Sequence, residues 1–196
     1  DIRTYTFGDG VSEDFDFTSL EVNSKGISYK GLSAEKIVFA EGYGLKLNPF
    51  FKHLPLNGTK GELLTIYAPE LNEKSVIKSS VFIIPLGDDL YRVGATYKWK
   101  DKTNAPTEAS KIELLQKLET LINCKYEVVA HVAGVRPTVA DRRPLLGQHE
   151  KYHSLFVLNG FGSRGVMTAP YASQQLFNYI ENGKKLDKEM DIARFN

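Results

Sequence analysis

The sequence predicts an α+β fold: an antiparallel sheet with one helix packed on it, joined to the carboxyl-terminal part of an α/β domain. Three observations predict it. Short apolar runs are punctuated by turn residues such as Gly87-Asp88-Asp89, which mark hairpins rather than crossovers. One long stretch between strands, Thr107–Ile122, carries helical spacing. Near the end, Val135 to Gly183 reads as strand, glycine turn and helix, with arginines beside it.

Leu20–Val22 and Ile27–Tyr29 flank Asn23-Ser24-Lys25-Gly26, a hairpin whose glycine supplies positive φ. Lys36–Phe39 reads as a buried strand leading to Gly42, and Asn48–Pro55 as an irregular link. Three strands follow, Gly61–Tyr67, Ser79–Pro85 and Leu90–Lys98. A polar turn, Asp101–Pro106, leads into the helix, where Ile112, Leu115, Leu118 and Ile122 share a face and Thr107 is the cap. Tyr126–Val132 and Leu155–Asn159 are further strands. Gly160–Gly165 is a turn tight enough to need glycine, and Ala169-Pro170 opens an amphipathic helix that ends near Gly183. Asp1 to Leu20 is acidic, polar and aromatic without an apolar period, and Lys184 to Asn196 is charged without an apolar run. The order implies two nested parts, 56–132 as the sheet-and-helix domain and 1–55 with 133–196 as the other.

A helix N-terminus behind a glycine turn gathers unpaired N–H groups and the positive end of the helix dipole, so Gly160–Thr168 suits something anionic. Gly160-x-Gly162-x-x-Gly165 spells the dinucleotide fingerprint. That fingerprint also needs a second parallel strand after the helix, with an acidic residue about 20 residues on. Only the charged tail follows here, so the nucleotide-phosphate reading is rejected.

Composition narrows the classes. With 25 Lys and Arg against 24 Asp and Glu, the net charge of +1 makes no electrostatic case for nucleic acid or an anionic membrane. The lone Cys124 excludes an internal disulfide and suits a reducing cytoplasm. No run approaches the roughly 18 to 20 apolar residues of a membrane helix. His53 and His131 have no partner at ligand spacing, and His149 and His153 share a polar loop, so no metal is assigned. Ser163 has no nearby base in sequence, and no catalytic triad is argued.

Val135-Arg136-Pro137-Thr138, Asp141, Pro144-Leu145-Leu146-Gly147, Gly160-x-Gly162-Ser163-Arg164-Gly165 and Ala169-Pro170 together resemble the carboxyl end of the FAD-dependent D-amino-acid oxidase superfamily, which includes glycine and sarcosine oxidases. Within it, Gly-Ser-Arg-Gly and Asp191-Ile192-Ala193-Arg194-Phe195 are most similar to the oxidase half of the bifunctional enzyme that modifies methylaminomethyl wobble uridine in tRNA. Ala40-x-Gly42 is similar to the second flavin-domain motif and Gly94-Ala95-Thr96 to a substrate-domain strand. The resemblance runs from about Glu21 onward.

The resemblance implies FAD as cofactor of a longer parent. Residues 56–132 are then the substrate-binding domain, and 1–55 with 133–196 a partial FAD-binding domain whose amino-terminal Rossmann part is absent. The chain alone is expected to hold flavin weakly and to be inactive, with an apolar flavin-domain face open to association. The reaction implied is oxidation of a C–N bond of an amine or amino acid, with hydride passing to flavin N5 and the imine hydrolysing. Gly42, Gly160, Gly162, Ser163, Arg164, Gly165, Val166, Met167 and Thr168 take the cofactor-binding positions. Arg164 and Arg136 take the catalytic ones, and Phe82, Tyr97 and Arg136 face substrate. Aligned on Ala169-Pro170, positions that hold a substrate carboxylate in the simpler oxidases fall on Ser163 and Met167, which shifts the expected substrate towards the tRNA-modifying branch.

Plainer readings stand beside these. Arg164 is then a surface arginine bracing its loop, and Arg136 an ion pair with Asp141. Arg142 and Arg143 are solvated charges or partners of an acidic face, and Phe82 and Tyr97 are core residues on adjacent strands. A non-catalytic binding module and a nicotinamide dehydrogenase using Gly160–Gly165 as its phosphate loop are the alternative functions.

Overall fold

The computed structural model describes residues 3–5, 12–23 and 26–195. The chain divides into two compact units, Asp1–Asn57 with Pro137–Asn196, and Gly58–Arg136.

The first unit begins with β1 (Arg3–Tyr5) antiparallel to β2 (Ser12–Asp14), strands that the sequence does not announce; Asp1, Ile2 and Thr6–Val11 of that stretch lie outside the described residues. Next come β3 (Leu20–Asn23), β4 (Gly26–Tyr29) and β5 (Leu32–Ala34), an antiparallel meander. The expected hairpin is present, with Asn23 opposite Gly26, although Ser24 and Lys25 lie outside the described residues. Gly26 has φ +134°, and a Cβ there would stand 2.5 Å from the Ala34 carbonyl oxygen. β6 (Ile37–Phe39) buries Phe39 but leaves Val38 exposed, so it is not the fully buried strand expected. A 3-10 helix, Gly42–Leu47, follows.

The second unit is one sheet with a helix on it. β7 (Thr59–Tyr67), β8 (Ile77–Lys78), β9 (Phe82–Gly87), β10 (Leu90–Gly94), α1 (Glu108–Glu119) and β11 (Glu127–Arg136) give the antiparallel order β11-β7-β10-β9-β8. Asp88 and Asp89 take φ of +50° and +59°, the paired positive values of a tight hairpin turn. Three boundaries differ from the sequence reading. Ser79–Val81 turn the chain between β8 and β9 instead of opening a strand. β10 stops at Gly94, with Lys98 returning to Lys60 only as an isolated bridge. β11 continues to Arg136.

Thr107 caps α1 by accepting from the Ser110 amide. The buried stripe is Leu114 and Leu118 against Leu64, Ile66, Ile83 and Val93, while Ile112, two positions from Leu114, turns outward and is exposed. Strand alternation sends Gly61, Leu63 and Thr65 of β7, Arg92 and Gly94 of β10, Phe82 of β9 and Arg136 of β11 to the opposite, open face.

The chain then returns to the first unit. β12 (Leu145–Gln148) pairs antiparallel with β13 (Leu155–Asn159), which runs parallel to β6. α2 (Gly165–Asn182) packs Ala172 and Leu176 onto Leu146 and Phe156, and Gly183 ends it at φ +63°. The helix begins four residues before the expected Ala169-Pro170. Pro170 is its sixth residue, and a proline reads in sequence as a helix start or break. The tail is also more than a charged run. Leu186 and Ile192 are buried, and Asp191 pairs in parallel with Leu146.

Candidate functional site

In the first unit the site grows from the end of β13. Buried Asn159 accepts the Gly160 amide through Oδ1 at 2.7 Å and donates from Nδ2 to the Gly42 carbonyl at 3.0 Å. One side chain, unremarked in the sequence, thereby holds the Gly42 motif and the glycine turn together. Gly160 (φ +78°) admits no side chain, because a Cβ would lie 2.6 Å from Val139 Cγ2. Gly162 also has positive φ, and its amide donates to the Pro137 carbonyl at 3.0 Å. Thr138 and Phe161 form a bridge beside it, so the Arg136-Pro137-Thr138 motif ends against the turn through Pro137 and Thr138.

The Arg164 carbonyl accepts both the Met167 and Thr168 amides at 3.0 Å and the Thr168 hydroxyl at 3.0 Å, which starts α2 at Gly165. The amides of Gly165 and Val166 are the outermost of the helix, where dipole and unpaired N–H groups coincide. Beside them Val166 is 95% and Met167 80% exposed. Ser163 and Arg164 are exposed too, and Arg164 Nη2 donates to the Arg142 carbonyl at 3.4 Å, a brace across the loop. Next to Gly42, Glu41 accepts from Asn48 at 2.8 Å through one oxygen, and its other oxygen is buried without a partner. Burial raises its pKa against the pull of that hydrogen bond.

Asp141 binds Arg194 Nε at 2.9 Å, and Arg143 pairs with Glu189 at 3.0 Å. Burial pushes the Asp141 carboxyl up, but hydrogen bonds from Arg194 and the Arg143 amide leave it below its ordinary value.

In the second unit the open face holds Arg136, Tyr97 and Phe82. The Arg136 guanidinium lies 4.4 Å from the centre of the Tyr97 ring and donates to the Thr96 carbonyl at 3.3 Å. It rests on Gly61, where any Cβ would overlap it. Burial lowers its pKa, and Tyr97 acts the other way. Tyr97 is not on a strand adjacent to Phe82, as the sequence reading had it. It lies past the end of β10 and is largely exposed. Phe82 instead covers Gly94, its Cζ 3.1 Å from where a Cβ would be.

Under this face the sheet carries buried charge. Lys60 Nζ meets Asp101 at 2.6 Å and Thr103 at 3.2 Å, and it also donates to the Ala105 carbonyl. Glu62 accepts from the Thr107 amide at 2.8 Å and hydroxyl at 2.9 Å, with His131 Nε2 2.9 Å away but not aligned for a hydrogen bond. His131 thus has the acidic neighbour that sequence spacing hides. Burial pushes the Glu62 pKa up, while the Thr107 hydrogen bonds and the Lys60 charge bring it below the ordinary value. The Lys60 hydrogen bond, with help from Thr103, lowers Asp101 to about 2. These anchors fix residues 96–107, and with them the Thr96 carbonyl and Tyr97 that hold Arg136. Alternating charges in an otherwise apolar strand, Lys60-Gly61-Glu62, were the available signal.

Residues 11–178 match the family described as FAD dependent oxidoreductase. The chain belongs to that family. It is 26% identical over 198 residues to the tRNA 5-methylaminomethyl-2-thiouridine biosynthesis bifunctional protein MnmC of Aromatoleum aromaticum, covering 90% of this chain and 30% of that protein. It is 30% identical to glycine oxidase of Pseudomonas putida, covering 78% of this chain and 43% of the relative. The chain thus spans less than half of either relative. Among solved structures, glycine oxidase from Geobacillus kaustophilus superposes with a TM-score of 0.72 at 24% identity, over 91% of this chain and 50% of that one, a likeness of fold. Among the described residues no helix is long and apolar enough to cross a membrane.

Proposed function

We propose that this chain supplies the flavin-facing turn and the substrate sheet of an FAD-dependent oxidoreductase that oxidises a C–N bond of an amine or amino acid. The observation that carries the reading is the first turn of α2, where outermost amides lie beside the exposed side chains of Val166 and Met167. A flat ring with an apolar body and negative charge developing along one edge suits such a surface. FAD, when bound, supplies the hydride acceptor.

The chain's own residues orient and stabilise. Gly160 and Gly162 let the main chain bend without side chains, and Asn159 fixes Gly42 to that turn. Ser163, Arg164 and the amides of Gly165 and Val166 form the cofactor surface, with the side chains of Val166, Met167 and Thr168 beside them, and Arg164 adds positive charge to it. Arg136, steadied by Thr96 and Tyr97, receives an anionic group of the substrate, and Phe82 and Tyr97 provide apolar contact. On this reading the first unit is the cofactor part and the second the substrate part. The exposed Val38, Leu47 and Phe177 are where the rest of the parent packs, and the lone Cys124 suits a cytoplasmic setting.

The MnmC relative supports a second reading, an amine carried on modified tRNA wobble uridine. The net charge of +1 lends that reading no electrostatic help.

The test is anaerobic addition of primary and secondary amines to the full-length parent loaded with FAD. Bleaching of the visible flavin absorbance by an amine is the expected result. A parent that takes up no FAD overturns the proposal.

A further inference from the structure

Arg92 stands at the centre of β10. The antiparallel register places it opposite Thr65 of β7 and Ile84 of β9, on the same open face as Gly94, Phe82, Leu63 and Arg136. Its Nε is buried without a hydrogen-bond partner, and no acid pairs with its guanidinium among the described residues. Every other arginine with a role here is spoken for: Arg136 by Thr96 and Tyr97, Arg143 by Glu189, Arg194 by Asp141, Arg164 by the Arg142 carbonyl. Arg92 is only half-buried on this face and no carboxylate beside it among the described residues neutralises it, so its charge is left for an anion from outside the chain.

The spacing says what that anion is. The Arg136 guanidinium rests on Gly61 of β7, whereas Arg92 faces Thr65. Four residues of β7 therefore separate the two positions, roughly 14 Å at about 3.4 Å per residue. Between them lies an apolar floor, Leu63 and Phe82 closing over Gly94.

Resting on the proposed function, we infer that Arg92 binds a second, distal anionic group of the substrate, a carboxylate or a phosphate, while Arg136 takes the group nearer the reacting carbon. The substrate class is then an extended amine with an acidic group at its far end. Arg92 sets length and charge specificity without touching the reacting atoms.

The experiment uses the full-length, FAD-loaded protein and reads perturbation of the flavin spectrum by inert acids. Glycolate offers one carboxylate, suberate two at a distance, and 6-phosphogluconate a carboxylate with a distant phosphate. Wild type is expected to bind suberate or 6-phosphogluconate more tightly than glycolate. Arg92→Gln should weaken the preferred long acid by about tenfold or more and leave glycolate within about twofold, and Arg92→Lys should recover part of the loss. Which long acid is favoured identifies the distal group as carboxylate or phosphate. Long acids that bind no better than glycolate in wild type overturn the inference, and so does an Arg92→Gln loss equal for all three acids. A parent that holds no flavin instead overturns the function on which it rests.

Discussion

In the first unit the candidate surface is made of main chain: glycines at positive φ, one asparagine clasp and the open end of α2. In the second it is made of side chains, Arg136, Tyr97 and Phe82, standing on a sheet whose other face buries Lys60 and Glu62. A surface of amides keeps its shape through almost any substitution that spares its dihedral angles. A surface of side chains depends on anchors well beneath it. The comparison teaches that the second unit is the more fragile, although its residues look the more ordinary in sequence.

The largest expected effect tests those anchors. Lys60→Met removes a fully buried cation and with it the ion pairs to Asp101 and Glu62, which should cost about 3 kcal/mol or more in chemical denaturation. A loss below about 1 kcal/mol would show that water or rearrangement takes over the lysine's role.

Next come the glycines. Gly160→Ala meets both positive φ and the Val139 side chain and should lose about 2 kcal/mol, whereas Gly162→Ala pays mainly for its φ, about 1 kcal/mol, since the nearest atom is Thr138 Oγ1 at 3.8 Å. Equal losses in thermal unfolding would mean that packing at Gly160 adds nothing.

Thr107→Ala deletes the α1 cap and one hydrogen bond to Glu62, for an expected loss of about 1 kcal/mol. A tenth of that would show the cap to be redundant.

The smallest effect concerns acid. Asp101 titrates at about 2 in the folded chain against an ordinary 3.8, so its contribution is complete above about pH 4 and fades as pH falls towards 2. Asp101→Asn should flatten that part of the stability profile, measured by circular dichroism against pH. An unchanged profile would place the acid sensitivity elsewhere.

Legibility in the sequence followed the same division. The glycine turn, β13, the Thr107 cap and the Gly87–Asp89 hairpin are written in local residue types, and the structure has them where those types put them. The start of α2 was displaced because Pro170 masks a helix already begun at Gly165. The partner of Asp141 was missed because Arg194 lies 53 residues away, whereas Arg136 lies close by. The Lys60–Asp101 and Glu62–Thr107 contacts depend on strand register and on a loop returning to the sheet, which no local pattern encodes.

The most direct test of the central claim, that the open end of α2 stabilises charge on a reduced flavin, is the reduction potential of the flavin in the full-length protein carrying Val166→Asp. An acidic residue in the first turn suits the helix itself, and Val166 is exposed, so folding should be unharmed. The account predicts unchanged or higher thermal stability together with a lower flavin potential and slower reduction by amine. An unchanged potential with intact folding would contradict it.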